Sequence, residues 1–303
     1  MGFLKKYISS LRLRTLPLSL AGVSLGCMLA VADFHVRPAV VISILVTACL
    51  LQVVSNVANE LGDFLRGTSS GHKRAASEYL ASGELTADGL RLFMRCLVVL
   101  TLISGLVLIY LSFGTVFSLD AFVLMIFGYF SVKAAVSYTL GKNPYGYRGR
   151  GDVYVFVFFG LVAVLGSYFV CTHTFGTLKL LLPAVSSGVL CTAVINLNNL
   201  RDIETDRHNR ITVAGKLGKH GAKIYQTALI AVGWAAMAAY SILSYADPWH
   251  YLYALTIPLF TWHLHSVWKQ PSQKLDAALP VLAVSVFLFC VLAGAGFLIY
   301  MVK

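Results

Sequence analysis

The stretch Pro280-Val-Leu-Ala-Val-Ser-Val-Phe-Leu-Phe-Cys-Val-Leu-Ala-Gly-Ala-Gly-Phe-Leu-Ile-Tyr-Met-Val302 carries no charged residue. A helix needs roughly 20 apolar residues to cross the hydrocarbon core of a bilayer, and this run is long enough. The pattern recurs upstream, where no charge follows Arg95 until after Ser112. Over the whole chain of 303 residues, 58% are hydrophobic and 12% charged. Soluble domains carry roughly 25% charged residues. The polar coat that two soluble cores would need is missing.

Working outward, the apolar blocks divide the chain into nine expected spans. These are Leu16–Ala32, Pro38–Ala58, Leu92–Ser112, Val116–Tyr138, Val153–Cys171, Leu178–Leu200, Ile224–Tyr245, Trp249–Trp268 and Ala278–Met301. The basic residues test this threading. Only three of the 24 lysines and arginines, Arg37, Lys179 and Lys303, fall on one side. Cytoplasmic loops carry the excess of Lys and Arg, so the N-terminus is expected inside and the C-terminus outside. The formal net charge of +11 is then a matter of topology, and no nucleic acid partner is expected. The basic segment Met1 to Thr15 has no small-residue cleavage site and leads into further spans. It reads as the entry to a first span rather than a removed signal peptide. Tyr110, Tyr168, Trp249, Trp268 and Tyr300 fall near span ends, where aromatic residues anchor at the interface. The six cysteines, with no C-x-x-C pair, read as small apolar packing residues.

Acidic residues number only 13, so their grouping is informative. Asn56, Asn59, Glu60 and Asp63 stand at i, i+3, i+4 and i+7 at the end of the second span, a single helix face. Asn198, Asp202 and Asp206 repeat every four residues at the end of the sixth. Both groups fall on the expected cytoplasmic side. Facing carboxylates repel unless a cation lies between them. Mg²⁺ takes oxygen ligands and is usually held by one or two carboxylates plus substrate phosphates. Two such groups suit a metal-bridged diphosphate, with Glu60, Asp63, Asp202 and Asp206 as ligands. Lys142, Arg148, Arg201 and Arg210 are placed to neutralise the remaining charge. The plainer reading is solvated or ion-paired helix ends, and Glu204, off the shared face, is read that way. A cation-coupled transporter is the rival from another class, but it calls for acids near the midplane and broken helices.

At these residues the chain resembles the UbiA superfamily of membrane prenyltransferases, and within it the MenA branch, the 1,4-dihydroxy-2-naphthoate polyprenyltransferases. Four segments carry the likeness in order: Leu13-Arg14-Thr15-Leu16-Pro17-Leu18, Ser55 to Gly67, Tyr138 to Asp152 with its Pro-Tyr-Gly-Tyr, and Asn198 to Gly218. The resemblance implies one all-α, polytopic domain over residues 1–303, with about nine transmembrane helices around one cytoplasm-facing cavity. It implies a Mg²⁺-dependent transfer from polyprenyl diphosphate to 1,4-dihydroxy-2-naphthoate at the inner membrane. Asp63, Asp202 and Asp206 (with Glu60) would hold the metal, and Asn59 and Asn198 would position the diphosphate. Tyr138, Tyr145 or Tyr147 would face an allylic cation, and Lys142 or Arg148 would meet the acceptor carboxylate. Asn56 belongs to the same binding face. The bilayer is the implied environment, and no obligate protein partner is inferred. A non-catalytic relative, or one acting on another acceptor such as 4-hydroxybenzoate, is the neighbouring alternative. The chain departs from the family in having Glu60 where Asp is usual and Gly67 where many members carry another Asp. Arg210 and Ile211 stand where relatives often have Gly and Lys.

His263 and His265, two apart on a helix, are expected on different faces. Gly22 and Gly26 form G-x-x-x-G, a close-packing signal. The polar stretch Gly67 to Ser77 reads equally as a lid or a plain loop.

Overall fold

A computed structural model describes residues 2–67, 75–206 and 210–302. Lys73, Arg74, Arg207, Lys303 and most of the Gly67 to Ser77 stretch lie outside them. The described residues are helical, with no strands. We label the helices α1 (Gly2–Ser10), α2 (Leu16–Asp33), α3 (Pro38–Leu65), α4 (Ala75–Ala81), α5 (Ala87–Phe113) and α6 (Leu119–Ser137). They continue with α7 (Gly151–Thr172), α8 (Leu181–Arg201), α9 (Val213–Leu243), α10 (Ile257–Lys269) and α11 (Ala278–Val302). Among the described residues eight helices are long and apolar enough to cross a membrane. The expected span Trp249–Trp268 is not one such helix. It is a 3-10 segment, Pro248–Thr256, running into the short α10. This pair joins opposite ends of the bundle: Lys179 reaches the Leu243 carbonyl at 2.8 Å before it, and Arg201 meets Asp276 at 2.8 Å after it.

Local chemistry places the helix ends. Pro17 and Pro38 sit in the first turns of α2 and α3, where a missing N–H costs nothing. Thr86, Ser118 and Thr212 cap α5, α6 and α9 through their side chains. α9 is broken at Gly218, whose φ of 71° and ψ of 172° are not helical, so a short first turn precedes the long segment. The middle of α7, Phe156–Gly166, is π-helical.

The bundle closes because α11 packs on α2, while α2 also packs on α3 and α7. α8 lies deepest, against α7 and α9. Gly22 and Gly26 let α2 approach α7: a Cβ at Gly26 would run into the Val164 carbonyl and the Ser167 hydroxyl. A main core joins α2, α7, α8, α9 and α11 around Phe289, Leu197 and Met237. A smaller one joins α3, α4 and the start of α5. Away from the interior, α5 and α6 carry exposed apolar side chains such as Ile103 and Phe130, suited to lipid.

Three side readings meet the structure here. His263 is buried and bonds Gln226 at 3.0 Å, whereas His265 is exposed, so the two share no ligand. Of the aromatic anchors, Tyr110 is exposed, but Tyr168 is buried and donates to Asp33 at 2.7 Å. It belongs to the interior because α2 brings an acceptor to its hydroxyl. Cys27, Cys191 and Cys290 are buried, Cys96 is exposed, and none of the six is in a disulfide.

Candidate active site

α3 extends to Leu65, so Asn56, Asn59, Glu60 and Asp63 share one continuous helix. Asn56, Asn59 and Asp63 line a cavity of about 740 Å³, a volume within the ~300–1,000 Å³ of small-molecule sites. Glu60 is buried and does not line it. Its carboxylate accepts from Arg12 Nε, and Arg12 Nη2 lies 3.8 Å from Asp63 Oδ2. Asn56 is committed to the chain before α2: its Nδ2 donates to the Leu11 carbonyl at 2.7 Å and to Thr15 Oγ1 at 2.9 Å. This anchors the loop in which Arg12 adopts a left-handed backbone, φ 48° and ψ 52°. Asn59 accepts from Thr139 Oγ1 at 3.1 Å, which ties α3 to the segment after α6.

The second acidic group starts at the last turn of α8. That helix ends at Arg201, and a single turn, Ile203–Asp206, follows. The four-residue repeat nonetheless persists, because the Asp202 N–H donates to Asn198 O at 3.1 Å and the Asp206 N–H to Asp202 O at 2.9 Å. Arg201 is buried and grips Asp202 with two parallel bonds of 2.7 Å, the fork geometry that a guanidinium offers a carboxylate. It also donates to Asn198 Oδ1 at 2.9 Å and to Asp276 Oδ1 at 2.8 Å. Arg201 therefore orients the acidic group from behind. Asn198 lines the cavity; Asp202 and Asp206, both half-buried, follow it on the same side and are not themselves part of the lining.

Between the two groups lies the loop Tyr138 to Arg150. Tyr147 donates to Asp63 Oδ1 at 2.5 Å. Arg210 donates to Tyr138 Oη at 2.8 Å and to the Gly146 carbonyl at 2.9 Å, with its guanidinium over both the Tyr138 and Tyr147 rings. Burial works against the Arg210 charge, but Tyr138, Asp206, Asp63 and Tyr147 together raise its pKa, so it stays cationic. The glycine of Pro-Tyr-Gly-Tyr is needed for contact: a Cβ at Gly146 would stand 2.7 Å from Tyr138 O and 2.9 Å from its ring. The Ile211 N–H donates to Tyr147 O at 3.1 Å and joins this loop to the second acidic segment. Tyr145 stacks on Tyr154 at 3.8 Å, and its hydroxyl donates to Ala134 O at 2.8 Å. Burial, with Tyr138 and Tyr154 beside it, raises the Tyr145 phenol above its ordinary value, so it remains neutral.

Of the expected residues, Asn56, Asn59, Asp63, Tyr138, Tyr145, Asn198 and Arg210 line one cavity. Tyr147 and Arg201 stand behind it as hydrogen-bonding supports. Lys142 and Arg148 are exposed and outside the lining, and Arg148 bonds Asn143. The sequence reading missed Arg12, Thr139, Tyr154 and Asp276. Arg12 lies one residue before the quoted Leu13-Arg14 motif, but its partner Glu60 is 48 positions away, and no local pattern links them.

The cavity narrows in chemistry from this polar mouth to an apolar interior. Beyond Thr101 and Gln52 it is lined by residues such as Leu51, Leu106, Phe158 and Val162. Among the described residues no three His, Cys, Asp or Glu side chains converge as a protein-only metal cage. The donors that surround the mouth are oxygens, and this set fits a hard divalent cation whose shell a phosphate ligand completes.

A model of the UbiA prenyltransferase family matches residues 19–291. The chain is 37% identical over 254 residues to the 1,4-dihydroxy-2-naphthoate octaprenyltransferase of Escherichia coli (strain K12), covering 84% of this chain and 82% of that protein. It is 34% identical over 286 residues to the Haemophilus influenzae protein of the same name, covering 92% and 90%. The apo structure of a UbiA homolog from Aeropyrum pernix K1 matches with a TM-score of 0.69 at 18% identity, over 96% of this chain and 98% of that one. That likeness is one of fold. The family match runs through both acidic segments and the loop between them, and the chain belongs to the UbiA prenyltransferase family.

Proposed function

We propose that this chain transfers a polyprenyl group from polyprenyl diphosphate to 1,4-dihydroxy-2-naphthoate, releasing CO₂ and diphosphate and giving demethylmenaquinol for menaquinone synthesis. The observation that carries the reading is one cavity with two ends. Its mouth gathers Asp63, Asn59, Asn198 and Arg210, and its depth is apolar. A prenyl diphosphate has the same two-ended chemistry. The names of the relatives supply the acceptor.

Asp63, Asp202 and Asp206 are the residues that would hold Mg²⁺, while Glu60, buried against Arg12 and outside the lining, supports Asp63 from behind instead of reaching the ion. The ion supplies charge neutralisation for the diphosphate as it leaves. Arg210 adds a fixed cation at the mouth. Arg201 and Tyr147 hold Asp202 and Asp63 in place, so the carboxylates need little reorganisation. Tyr138 and Tyr145 line the path just inside the mouth, where their rings would help to stabilise an allylic cation. The apolar walls exclude water and so protect that cation from hydrolysis. The electron-rich acceptor ring attacks at its carboxylate-bearing carbon, the diphosphate leaves with the C–O bonding pair, and loss of CO₂ returns an electron pair to the ring and restores aromaticity. The chain works as one membrane-embedded domain in the cytoplasmic membrane, N-terminus inside, with the mouth facing the cytoplasm.

The test is a product assay on purified protein in detergent with a polyprenyl diphosphate, 1,4-dihydroxy-2-naphthoate and Mg²⁺. The expected outcome is prenylated naphthoquinol and CO₂, abolished by EDTA and by Asp202→Ala. Turnover of 4-hydroxybenzoate alone would overturn the acceptor assignment. Turnover of neither by folded protein, with ion flux in liposomes, would favour a transporter.

A further inference from the structure

A side-chain amide has a donor end and an acceptor end, and its bonding partners decide which end faces where. Beside the mouth, two amides in series settle one another. The Leu11 carbonyl can only accept, so the Asn56 atom 2.7 Å from it is Nδ2. Asn56 Oδ1 is then turned toward Gln52 of α3, and the Gln52 atom 3.1 Å from it must be the donor, Nε2. The same nitrogen donates to Thr15 Oγ1 at 3.2 Å. Thr15 accepts there because its own proton goes to the Arg12 carbonyl at 3.0 Å. Both donors of Gln52 are committed, and the orientation of its amide is fixed.

What remains is Gln52 Oε1. It has no partner among the described residues, and Gln52 lines the cavity where the polar mouth gives way to apolar walls such as Ala48 and Leu51. The hydroxyls of Ser19 and Thr101, also in the lining, donate to carbonyls of their own helices at 2.9 and 2.7 Å. They offer no proton to Gln52. A carbonyl beside apolar walls needs a donor when the cavity fills and water leaves. Gln52 is seven residues, about 10 Å of helix, inward from Asn59. A prenyl diphosphate supplies no donor there, since its oxygens are acceptors and its tail has no polar atom. A hydroxylated aromatic acceptor does.

We propose that Gln52 Oε1 accepts a hydrogen bond from the 4-hydroxyl of the naphthoate, and so selects a 1,4-dihydroxy acceptor over one lacking that group. This rests on the naphthoate reading above. The 1-hydroxyl is ortho to the carboxylate and bonds to it within the molecule. The 4-hydroxyl has no such neighbour and depends on the protein. With the carboxylate-bearing carbon beside the donor near the mouth, the 4-hydroxyl falls on the inward side.

The experiment measures dissociation constants for 1,4-dihydroxy-2-naphthoate and 1-hydroxy-2-naphthoate, anaerobically, in detergent and without a prenyl donor. No bond is then made, and ring reactivity does not enter. Wild type is compared with Gln52→Met, which keeps the length without polar atoms, and Gln52→Glu, which keeps an oxygen acceptor but loses both donors. Wild type is expected to prefer the dihydroxy compound by about tenfold. The preference should fall to within about twofold in Gln52→Met and survive in Gln52→Glu. A merely structural Gln52 would respond alike to both variants, since both lose the bonds to Thr15 and Asn56, and would weaken both ligands equally. No preference in wild type, or an unchanged one in Gln52→Met, overturns the proposal and leaves the function reading intact. If Gln52→Met does not fold, Gln52→Asn, which withdraws the carbonyl by one methylene, takes its place with the same two outcomes. Wild type that binds 4-hydroxybenzoate but neither naphthoate would instead sink the naphthoate reading, and the Gln52 assignment with it.

Discussion

Arg12 takes a left-handed backbone, uncommon for a non-glycine residue, because Asn56 holds the Leu11 carbonyl on one side of it and the Thr15 hydroxyl on the other. The strain places its guanidinium against Glu60, whose side chain is only 2% exposed. Removing one partner of such a pair leaves a buried charge uncompensated. Arg12→Met should therefore destabilise the protein by about 3 kcal/mol or more, and the double Arg12→Met, Glu60→Met should recover most of it. Thermal melting in detergent checks both. Tyr147 acts differently, through one charge-assisted bond to Asp63. Such bonds contribute ~1.5–3 kcal/mol to stability, so Tyr147→Phe should lower the melting temperature, and should also lower kcat/KM by about tenfold as Asp63 loses its orientation. An effect on melting without one on turnover would show that the bond only holds the loop. Arg210→Lys removes both the fork to Tyr138 and Gly146 and the stacking on two rings, and a loss of similar or larger size is expected.

At the scale of elements, the site depends on helices that touch without side chains between them. Gly26 sits against the α7 backbone at Val164, where the ladder is π-helical and cannot yield without moving cavity residues such as Phe159 and Ala163. Overpacking costs ~1–3 kcal/mol, so Gly26→Ala should lower the melting temperature. The buried chain Asn196–Gln226–His263 joins α8, α9 and α10 through bonds of 2.7 and 3.0 Å. Gln226→Leu strands His263 and leaves Asn196 Nδ2 with only the Ala222 carbonyl at 3.1 Å; a buried polar group left unsatisfied costs ~1–3 kcal/mol, so the melt should show a loss comparable to that of Gly26→Ala.

For the whole molecule, the mouth is assembled from four separated stretches: the α1–α2 connection, the end of α3, the loop after α6, and the end of α8 with Arg210. The first, second and fourth contribute charges that neutralise one another, the loop contributes tyrosine hydroxyls and rings, and anything that bridges them should stabilise the entire bundle. Inorganic diphosphate with Mg²⁺, at 100 times its dissociation constant, should add about 2.7 kcal/mol, read as a rise in melting temperature. EDTA should remove that rise. A rise undiminished by EDTA would mean that Arg210 and Arg12 bind the anion unaided.

The apolar blocks, the one-sided basic residues and the two acidic faces were legible along the chain because each is a local property. Hydropathy needs only a window of residues, and a helix face needs only a spacing of three or four. Asp63, Asn59 and Asn198 were found this way, since polar residues are rare enough here for their grouping to stand out. The span near Trp249 is less regular than its hydropathy implies, because Pro248 and Pro258 open its two parts. Tyr168 was misplaced at the interface because its acceptor, Asp33, is 135 positions away. Arg12 behind Glu60 and Asp276 behind Arg201 were decided only by the packing of helices. A partner that depends on which distant segment comes to lie alongside leaves no spacing in the sequence to be read.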